Sequence, residues 1–331
     1  MKKILFSCLF LILILFSLLY PAQIIEASKQ GLLTWFEQIL PALLPFTILS
    51  TLLLKSNFLK SFSTGGNLLA IGITMCGGFV FGFPIGAKLA SDFYKTKLLT
   101  GKQATILSVT ANNFSPMYVC GFVLPTLLAK DTVLLKSLVN TTYVLLYFTP
   151  LFLATILLLL DANTLSIYNL KYQLLHKQCK KENIPSQHTH KTHLRNADNT
   201  FQINMSLLDH SIINGFETLI KLCGYIILFS IFAKITMLIF PAPSLSLQII
   251  LENLEITNGV QLLTNSNLTQ KNTYILAIQL LSFGGLSGIA QTYSIFADSN
   301  LSIYKYIIGK VTLSLLLTLL AVMYVSYFNH F

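Results

Sequence analysis

The chain has 331 residues, of which 54% are hydrophobic and only 10% charged, whereas soluble domains carry about 25% charged residues. Lys and Arg total 22 against 12 Asp and Glu, which gives a net charge of +10. Because Lys and Arg collect in the cytoplasmic loops of membrane proteins, topology accounts for this excess and no nucleic-acid partner is expected. The composition excludes a soluble domain and predicts an all-α, polytopic protein of the lipid bilayer.

The chain begins with two lysines and continues as an uncharged apolar run, MKKILFSCLFLILILFSLLY. A cleaved signal peptide has the same order of features. The run is long for a signal peptide and no clear A-x-A site follows it. We therefore interpret residues 1–33 as a retained first span and an external segment.

Five further apolar runs approach the roughly 20 residues that a bilayer crossing requires, and they lie at 34–54, 104–128, 137–160, 222–240 and 307–327. Two other apolar segments, 67–88 and 273–296, are rich in glycine and interrupted. The largest polar stretch, 161–205, is rich in Lys, Arg and His and is predicted to be a cytoplasmic linker. A weaker interruption at 241–272 is predicted to lie outside.

The basic residues favour one path through the membrane. If 67–88 enters and leaves on the same face as a re-entrant hairpin, the large basic clusters all fall on the cytoplasmic side, as the positive-inside bias requires. If both glycine-rich segments cross fully, the charges are scattered over both faces. A second hairpin at 273–296 then enters from the opposite face. The exceptions are Lys130, Lys136, Lys305 and Lys310.

Two pairs of similar motifs indicate an internal repeat. A Phe–Glu pair precedes an apolar span at Phe36 and again at Phe216, and GFPIG at 82–86 matches GGLSG at 284–288. The halves come out oppositely oriented, and inverted repeats with broken helices are a recurrent transporter architecture. The predicted division is a first repeat at 34–128, a connecting span at 129–160, the linker at 161–205 and a second repeat at 206–331.

The stretch GGFVFGFPIGAKLASDFY, residues 77–94, is the first candidate site. Glycine permits turns and close approach, and proline removes a backbone donor, so a helix is predicted to break here. Broken helix ends expose N–H groups that can hold an anion, and Lys88 would add charge. The site residues are Gly82, Pro84, Gly86 and Lys88. The alternative is a packing face of small residues four positions apart.

A second interruption, TANNFSPMY, lies inside the predicted span 104–128. Asn112, Asn113 and Ser115 are costly in lipid, and Pro116 breaks the helix beside them. Two adjacent amides offer donors and acceptors to a polar solute. Hydrogen bonding between helices is the alternative.

The second half contains two comparable stretches. SFGGLSGIAQTY is a predicted helix break, and LEITNG is a turn-prone run that a surface turn would also explain. The candidate binding residues here are Gly284, Gly285, Ser287 and Gln291 from the first stretch and Glu255, Thr257 and Asn258 from the second.

Charges within the spans are separate candidates, because charge is expensive in a membrane and often functional. They are Glu37, Glu217, Lys221 and Lys234, of which Glu217 and Lys221 can pair at a spacing of four residues. Five separated cysteines and a histidine cluster in the linker, HTHKTH, support no metal site, and no metal or cofactor is predicted. The sequence has no GxxxxGK[ST], HExxH or GxSxG motif, so no enzyme activity or catalytic residue is expected.

Four ordered motifs, GFPIGAK, NNFSP, EITNG and FGGLSGIAQ, resemble those of the YlbJ-type sporulation integral membrane proteins, which belong with the nucleoside-recognition or gate-domain membrane proteins. The resemblance implies two gate repeats and a transporter. It also implies a site formed by Gly82, Pro84, Gly86, Lys88, Asn112, Asn113, Glu255, Thr257, Asn258, Gly284, Gly285 and Gln291.

We therefore predict a multi-pass permease of the bacterial cell membrane, in the forespore membrane if the organism sporulates. Its cargo is predicted to be a small anionic solute, dipicolinate by resemblance, bound between two re-entrant hairpins. A nucleoside or other neutral-solute carrier and a non-transporting assembly protein are the alternatives. The coupling ion and a homo-oligomeric state stay open.

Overall fold

The computed structural model describes residues 11, 13–55, 66–128, 132–161, 205–240, 245–297 and 299–327. These parts of the chain are almost entirely helical and contain no β-strand, which confirms the all-α class. Of the predicted first span, the described positions 11 and 13–19 are helical. The predicted linker, with its histidine cluster, lies outside the described residues apart from its two end positions.

The described helices of the first half follow one another in this chain order. They are α1 (Pro21–Thr34), a π-helical turn (Trp35–Ile39), α2 (Leu40–Lys55), α3 (Gly66–Phe81), α4 (Ile85–Lys95), α5 (Gly101–Thr110), α6 (Pro116–Leu127) and α7, which runs through Thr132–Tyr143, Val144–Phe148 and Thr149–Leu160. The helices of the second half are α8 (Met205–Ile239), α9 (Leu245–Glu252), α10 (Ile256–Thr264), α11 (Gln270–Phe283), α12 (Gly285–Ala297) and α13 (Ile303–Tyr327).

Four helical stretches in the described part of the chain are long and apolar enough to cross a membrane. They are Leu138–Leu160, Met205–Ile239, Gln270–Ala297, which contains α11 and α12, and Ile303–Tyr327. The predictions of spans at 137–160, 222–240 and 307–327 are thereby confirmed. The protein is a multi-pass membrane protein.

The first glycine-rich segment folds as a helical hairpin, here called hairpin 1, which consists of α3, a turn at residues 82–84 and α4. Gly82 has a φ of +75°, which side chains rarely allow, and its carbonyl accepts from the N–H of Ile85 at 2.8 Å. Beyond the turn α4 packs back along α3, where Leu89 fits against Gly77. The turn lies near the end of the predicted 67–88, and the hairpin extends to Lys95.

The second hairpin does not lie at 273–296, and that prediction is wrong. In this stretch α12 packs on α4, α8 and α13 instead of folding back along α11. The hairpin is formed by α9 and α10, which contact each other across a turn at residues 253–255; we call it hairpin 2. The stretch 241–272, predicted to be an interruption on the outside, thus contains this helical hairpin, and its Leu251, Val260 and Leu263 belong to the buried core.

The described elements follow the same order in both halves. A helical hairpin is followed by a five-residue loop, a helix capped by a threonine side chain (Thr100 or Thr269), and an interruption. Break 1 comprises residues 111–115 between α5 and α6, and break 2 is Gly284 between α11 and α12. By this order of elements, the turn that contains GFPIG has the same place as the turn of hairpin 2, and GGLSG has the same place as break 1, whereas the sequence motifs paired GFPIG with GGLSG.

Two groups of helices hold the interruptions in place. The long helix α8 packs along α1 and α2, and the indole N–H of Trp35 donates to the carbonyl of Leu219 at 2.9 Å. Helix α13 packs along α11 and also contacts α5, α7 and α12. Both interrupted helices therefore meet at α13, which positions the residues of the site.

Candidate substrate-binding site

Break 1 is inserted into hairpin 1 at three glycines. A Cβ atom at Gly78 or at Gly86 would overlap the carbonyl oxygen of Ala111, and one at Gly82 would lie 2.5 Å from the backbone nitrogen of Ser115. Two of the predicted site glycines, Gly82 and Gly86, therefore allow close backbone approach. The structure therefore agrees with the alternative interpretation, in which these glycines allow packing.

The amide of Asn112 connects three elements. Its Oδ1 accepts from the N–H of Ala87 in α4 at 3.3 Å, and its Nδ2 donates to the hydroxyl of Tyr306 in α13 at 3.0 Å. Asn112 is 1% exposed, so both bonds are shielded from solvent. This side chain joins hairpin 1, break 1 and α13.

The amide of Asn113 also bonds within the protein. Its Nδ2 donates to the carbonyls of Thr110 at 2.8 Å and Leu146 at 3.3 Å. Ser115 caps α6 by accepting from the N–H of Tyr118 at 3.3 Å. The three polar residues of break 1 are buried and paired, and none of them lines the two cavities described below.

Break 2 is held by hairpin 2. Gly284 has a φ of +90°, and two and three residues further on the N–H groups of Leu286 and Ser287 donate to the carbonyls of Asn253 at 2.8 Å and Leu254 at 3.0 Å. The backbone donors predicted to receive an anion are thus already paired at Leu286 and Ser287, as they are at Ala87.

The turn of hairpin 2 is capped by a buried carboxylate. Glu255 accepts from the hydroxyl of Thr257 and, at 3.0 Å, from the N–H of Asn258. Asn258 itself points elsewhere: its Nδ2 donates to Ser230 at 2.6 Å, beside a separate cavity that contains Lys234. The structure therefore brings Glu255 and Thr257 together but separates the Asn258 side chain from them.

A small cavity, the inner pocket, lies between the two hairpins and break 2. Its polar lining comes from Glu255, Thr257, Ser287 and Gln291, and its aromatic lining from Phe83, Phe114 and Tyr118. Its volume is about 30 Å³, which is room for little more than a water molecule. The inner pocket is closed to an organic solute in this conformation.

A larger cavity of about 520 Å³ follows one face of α4 from Pro84 to Lys95, and we call it the basic vestibule. Lys88, Lys95 and Lys221 line it together with Asp92. Gln291 lines both the basic vestibule and the inner pocket, so it lies between the two cavities.

Two polar groups of the vestibule are unpaired. Lys88 and Ser91 lie one turn apart on α4, and neither the Lys88 ammonium nor the buried Ser91 hydroxyl has a hydrogen-bond partner among the described residues. Buried polar groups are normally paired, so the Ser91 hydroxyl indicates a missing partner. Sequence reasoning identified Lys88 but missed Ser91, because a lone serine carries no signal.

The remaining intramembrane charges take different places. Glu217 and Lys221 form the predicted ion pair at 3.0 Å on α8, and Glu37 is exposed. A Cβ atom at Gly285 would lie 3.3 Å from the side chain of Ile256 in hairpin 2. Sequence reasoning did not identify Lys310 and Tyr306 as site residues. The local sequence around a single lysine or tyrosine in an apolar span does not predict which residues it contacts.

Helices long enough to span a bilayer, helical interruptions paired with hairpins, and a polar cavity between them define the class of this chain: an all-helical, multi-pass membrane protein. Over 344 aligned positions it is 23% identical to the sporulation integral membrane protein YlbJ of Bacillus subtilis (strain 168), covering 94% of this chain and 79% of that protein. The resemblance seen in the four motifs is thereby confirmed. No family model and no solved structure gives a significant match.

Proposed function

We propose that this protein is a permease for a small anionic organic solute. The observation that carries the proposal is the pair of unpaired groups in the basic vestibule, the Lys88 ammonium and the Ser91 hydroxyl. Together they offer a carboxylate a charge-assisted hydrogen bond and a neutral one. Lys95 and Lys221 also line the cavity, each in an ion pair, Lys95 with Asp92 at 3.9 Å and Lys221 with Glu217 at 3.0 Å. No chemical step is part of this function.

The solute would enter the basic vestibule and pass Gln291 into the inner pocket. Because the inner pocket is closed here, passage needs the hairpins to separate from the breaks. Alternating exposure of a site between repeats is the usual mechanism of such architectures. The aromatic lining suits a ring, and the resemblance to sporulation proteins makes dipicolinate, an aromatic dianion, the first solute to test. Under this proposal the protein acts in the forespore membrane of a sporulating organism.

We extend the proposal to the topology. The helices of hairpin 2 have 8 and 9 residues, or about 12–13 Å each, too short for a hydrocarbon core of about 30 Å. Both hairpins would re-enter on the face they came from, hairpin 1 from the cytoplasm and hairpin 2 from outside. If α11 and α12 then cross once, Lys305 becomes cytoplasmic, which removes one exception to the positive-inside bias.

Cysteine labelling tests this inverted arrangement. We expect Thr96→Cys, after hairpin 1, to be protected from an impermeant maleimide added outside cells. We expect Asn267→Cys, after hairpin 2, to be labelled. Both positions are exposed, and the background is a variant without the five native cysteines. If both cysteine variants or neither of them were labelled in intact cells, although both were labelled after lysis, an inverted repeat would be contradicted.

One observation favours a second candidate, a carrier of nucleosides or other neutral solutes. The carboxylate of Glu255 lines the inner pocket, where it would repel a dianion and could accept hydrogen bonds from a neutral cargo. The two candidates therefore make opposite predictions for Lys88 and Glu255.

Uptake by proteoliposomes, with dipicolinate and uridine in parallel, separates the two candidates. For an anion carrier, Lys88→Gln should raise the KM for dipicolinate roughly ten- to a hundredfold, since a hydrogen bond to a charged group contributes about 1.5–3 kcal/mol. Glu255→Gln should leave that KM equal or lower. For a neutral-solute carrier, Glu255→Gln should reduce uridine uptake and Lys88→Gln should not.

The control is Lys305→Gln, which removes an exposed lysine of α13 and should change neither KM. Uptake of neither solute above the lipid leak, by protein that is folded in the vesicles, would overturn both transport proposals. That result would favour a non-transporting assembly protein.

A further inference from the structure

The side chain of Lys310 is buried in the middle of the protein. Only 1% of the residue is exposed, although it lies in a helix whose other face is apolar and exposed. Its Nζ donates to the carbonyl of Asn112 at 2.8 Å, to Oδ1 of Asn113 at 3.1 Å and to the carbonyl of Ser282 at 3.5 Å. Each of its three protons thus has an oxygen acceptor.

These three oxygens, here called the oxygen cage, lie where two interrupted helices end. Asn112 and Asn113 follow the last residues of α5, and Ser282 is in the last turn of α11. A helix C-terminus carries a partial negative charge and unpaired carbonyls. Two such ends converge on one point, so the oxygen cage is a place of negative potential made from dipoles.

No carboxylate of the described residues lies within 4 Å of the Lys310 ammonium. A buried lysine is usually paired with an acidic side chain. In the part of the chain that the structure describes, its acceptors are carbonyl and amide oxygens, which is the ligand set that transporters with broken helices offer to a small monovalent cation. Lys310 holds the position that such an ion would occupy.

We propose that the oxygen cage is a monovalent-cation site whose occupant is the protein's own Lys310 ammonium. The lysine links the end of α5 to the end of α11, and Tyr306, one turn earlier on α13, extends the link by contacting Asn112 and Thr292. A free sodium ion is then not required at this place. The proposal of a cation site does not depend on the proposed function. The expectation that transport is independent of sodium does depend on the proposed function.

Two variants of Lys310 test the proposal in purified protein by thermal unfolding. Lys310→Ala removes the ammonium and leaves space for an ion, while Lys310→Met removes the charge and keeps the space filled. Both should lower Tm in N-methylglucamine chloride, since the cage oxygens lose their donor. Replacing N-methylglucamine with sodium should raise the Tm of the alanine variant by roughly 2–5 °C in a saturable manner.

The methionine variant and the wild type should show no such rise, and Lys305→Ala, at an exposed lysine of the same helix, should behave as wild type. A sodium-dependent rise in wild type would overturn the proposal, and this measurement stands even if both Lys310 variants fail to fold. Equal sodium responses in the alanine and methionine variants would also overturn it. In proteoliposomes, wild-type uptake should be the same with and without sodium. If uptake required sodium while the wild-type Tm did not respond to it, only the expectation of sodium-independent transport would be contradicted.

Discussion

Replacing Gly86 with alanine is expected to destabilise the protein by about 1–3 kcal/mol or more, the usual cost of overpacking a filled interior. The added methyl group would overlap the carbonyl oxygen of Ala111 and lie 2.7 Å from its carbonyl carbon. These are backbone atoms of break 1, so no flexible side chain can move aside. Tm, measured in detergent by unfolding, should fall by several degrees, and uptake should fall with it.

Gly72 is the matched control in the same hairpin. A Cβ atom there meets nothing within 4 Å, and the residue is exposed on α3. Gly72→Ala should be neutral or slightly stabilising, because alanine favours a helix over glycine by up to about 1 kcal/mol. If Gly86→Ala and Gly72→Ala gave equal changes in Tm, the close fit between hairpin 1 and break 1 would be wrong.

Replacing Asn112 with alanine should be the most damaging change in break 1. It leaves the N–H of Ala87 without an acceptor in a fully buried place and removes the donor to the Tyr306 hydroxyl. A buried group without its partner costs about 1–3 kcal/mol, so we expect a loss of at least about 2 kcal/mol in the free energy of unfolding. Uptake should be lost, because hairpin 1 and α13 are no longer joined.

Asn140, an exposed asparagine of α7, provides the comparison. Asn140→Ala should change the free energy of unfolding by less than about 0.5 kcal/mol, as surface substitutions usually do. A stable Asn112→Ala variant with normal uptake would show that the amide is not needed to join these elements.

Hairpin 2 shows why part of the fold could not be predicted from the sequence. LEITNG has the composition of a surface turn, and Glu252, Asn253 and Glu255 would be exposed in such a turn. In the structure all three are buried, and their polar atoms find partners: Asn253 pairs with Gln279 of α11, and Glu255 caps α10. Whether a polar residue is buried depends on partners that are distant in sequence.

Local chemistry by itself determined the all-helical membrane class, the interruptions at 82–84, 111–115 and 284, and the Glu217–Lys221 pair. Apolar run length, glycine, proline and a four-residue spacing act over a few residues, so they can be recognised in sequence. Tertiary structure alone decided that the asparagines bond inward, that Ser91 lies unpaired beside Lys88, and that Lys310 fills an oxygen cage. Lys310 meets Asn112 across 198 positions of the chain, because α13 brings two helix ends together, and no local pattern encodes that meeting.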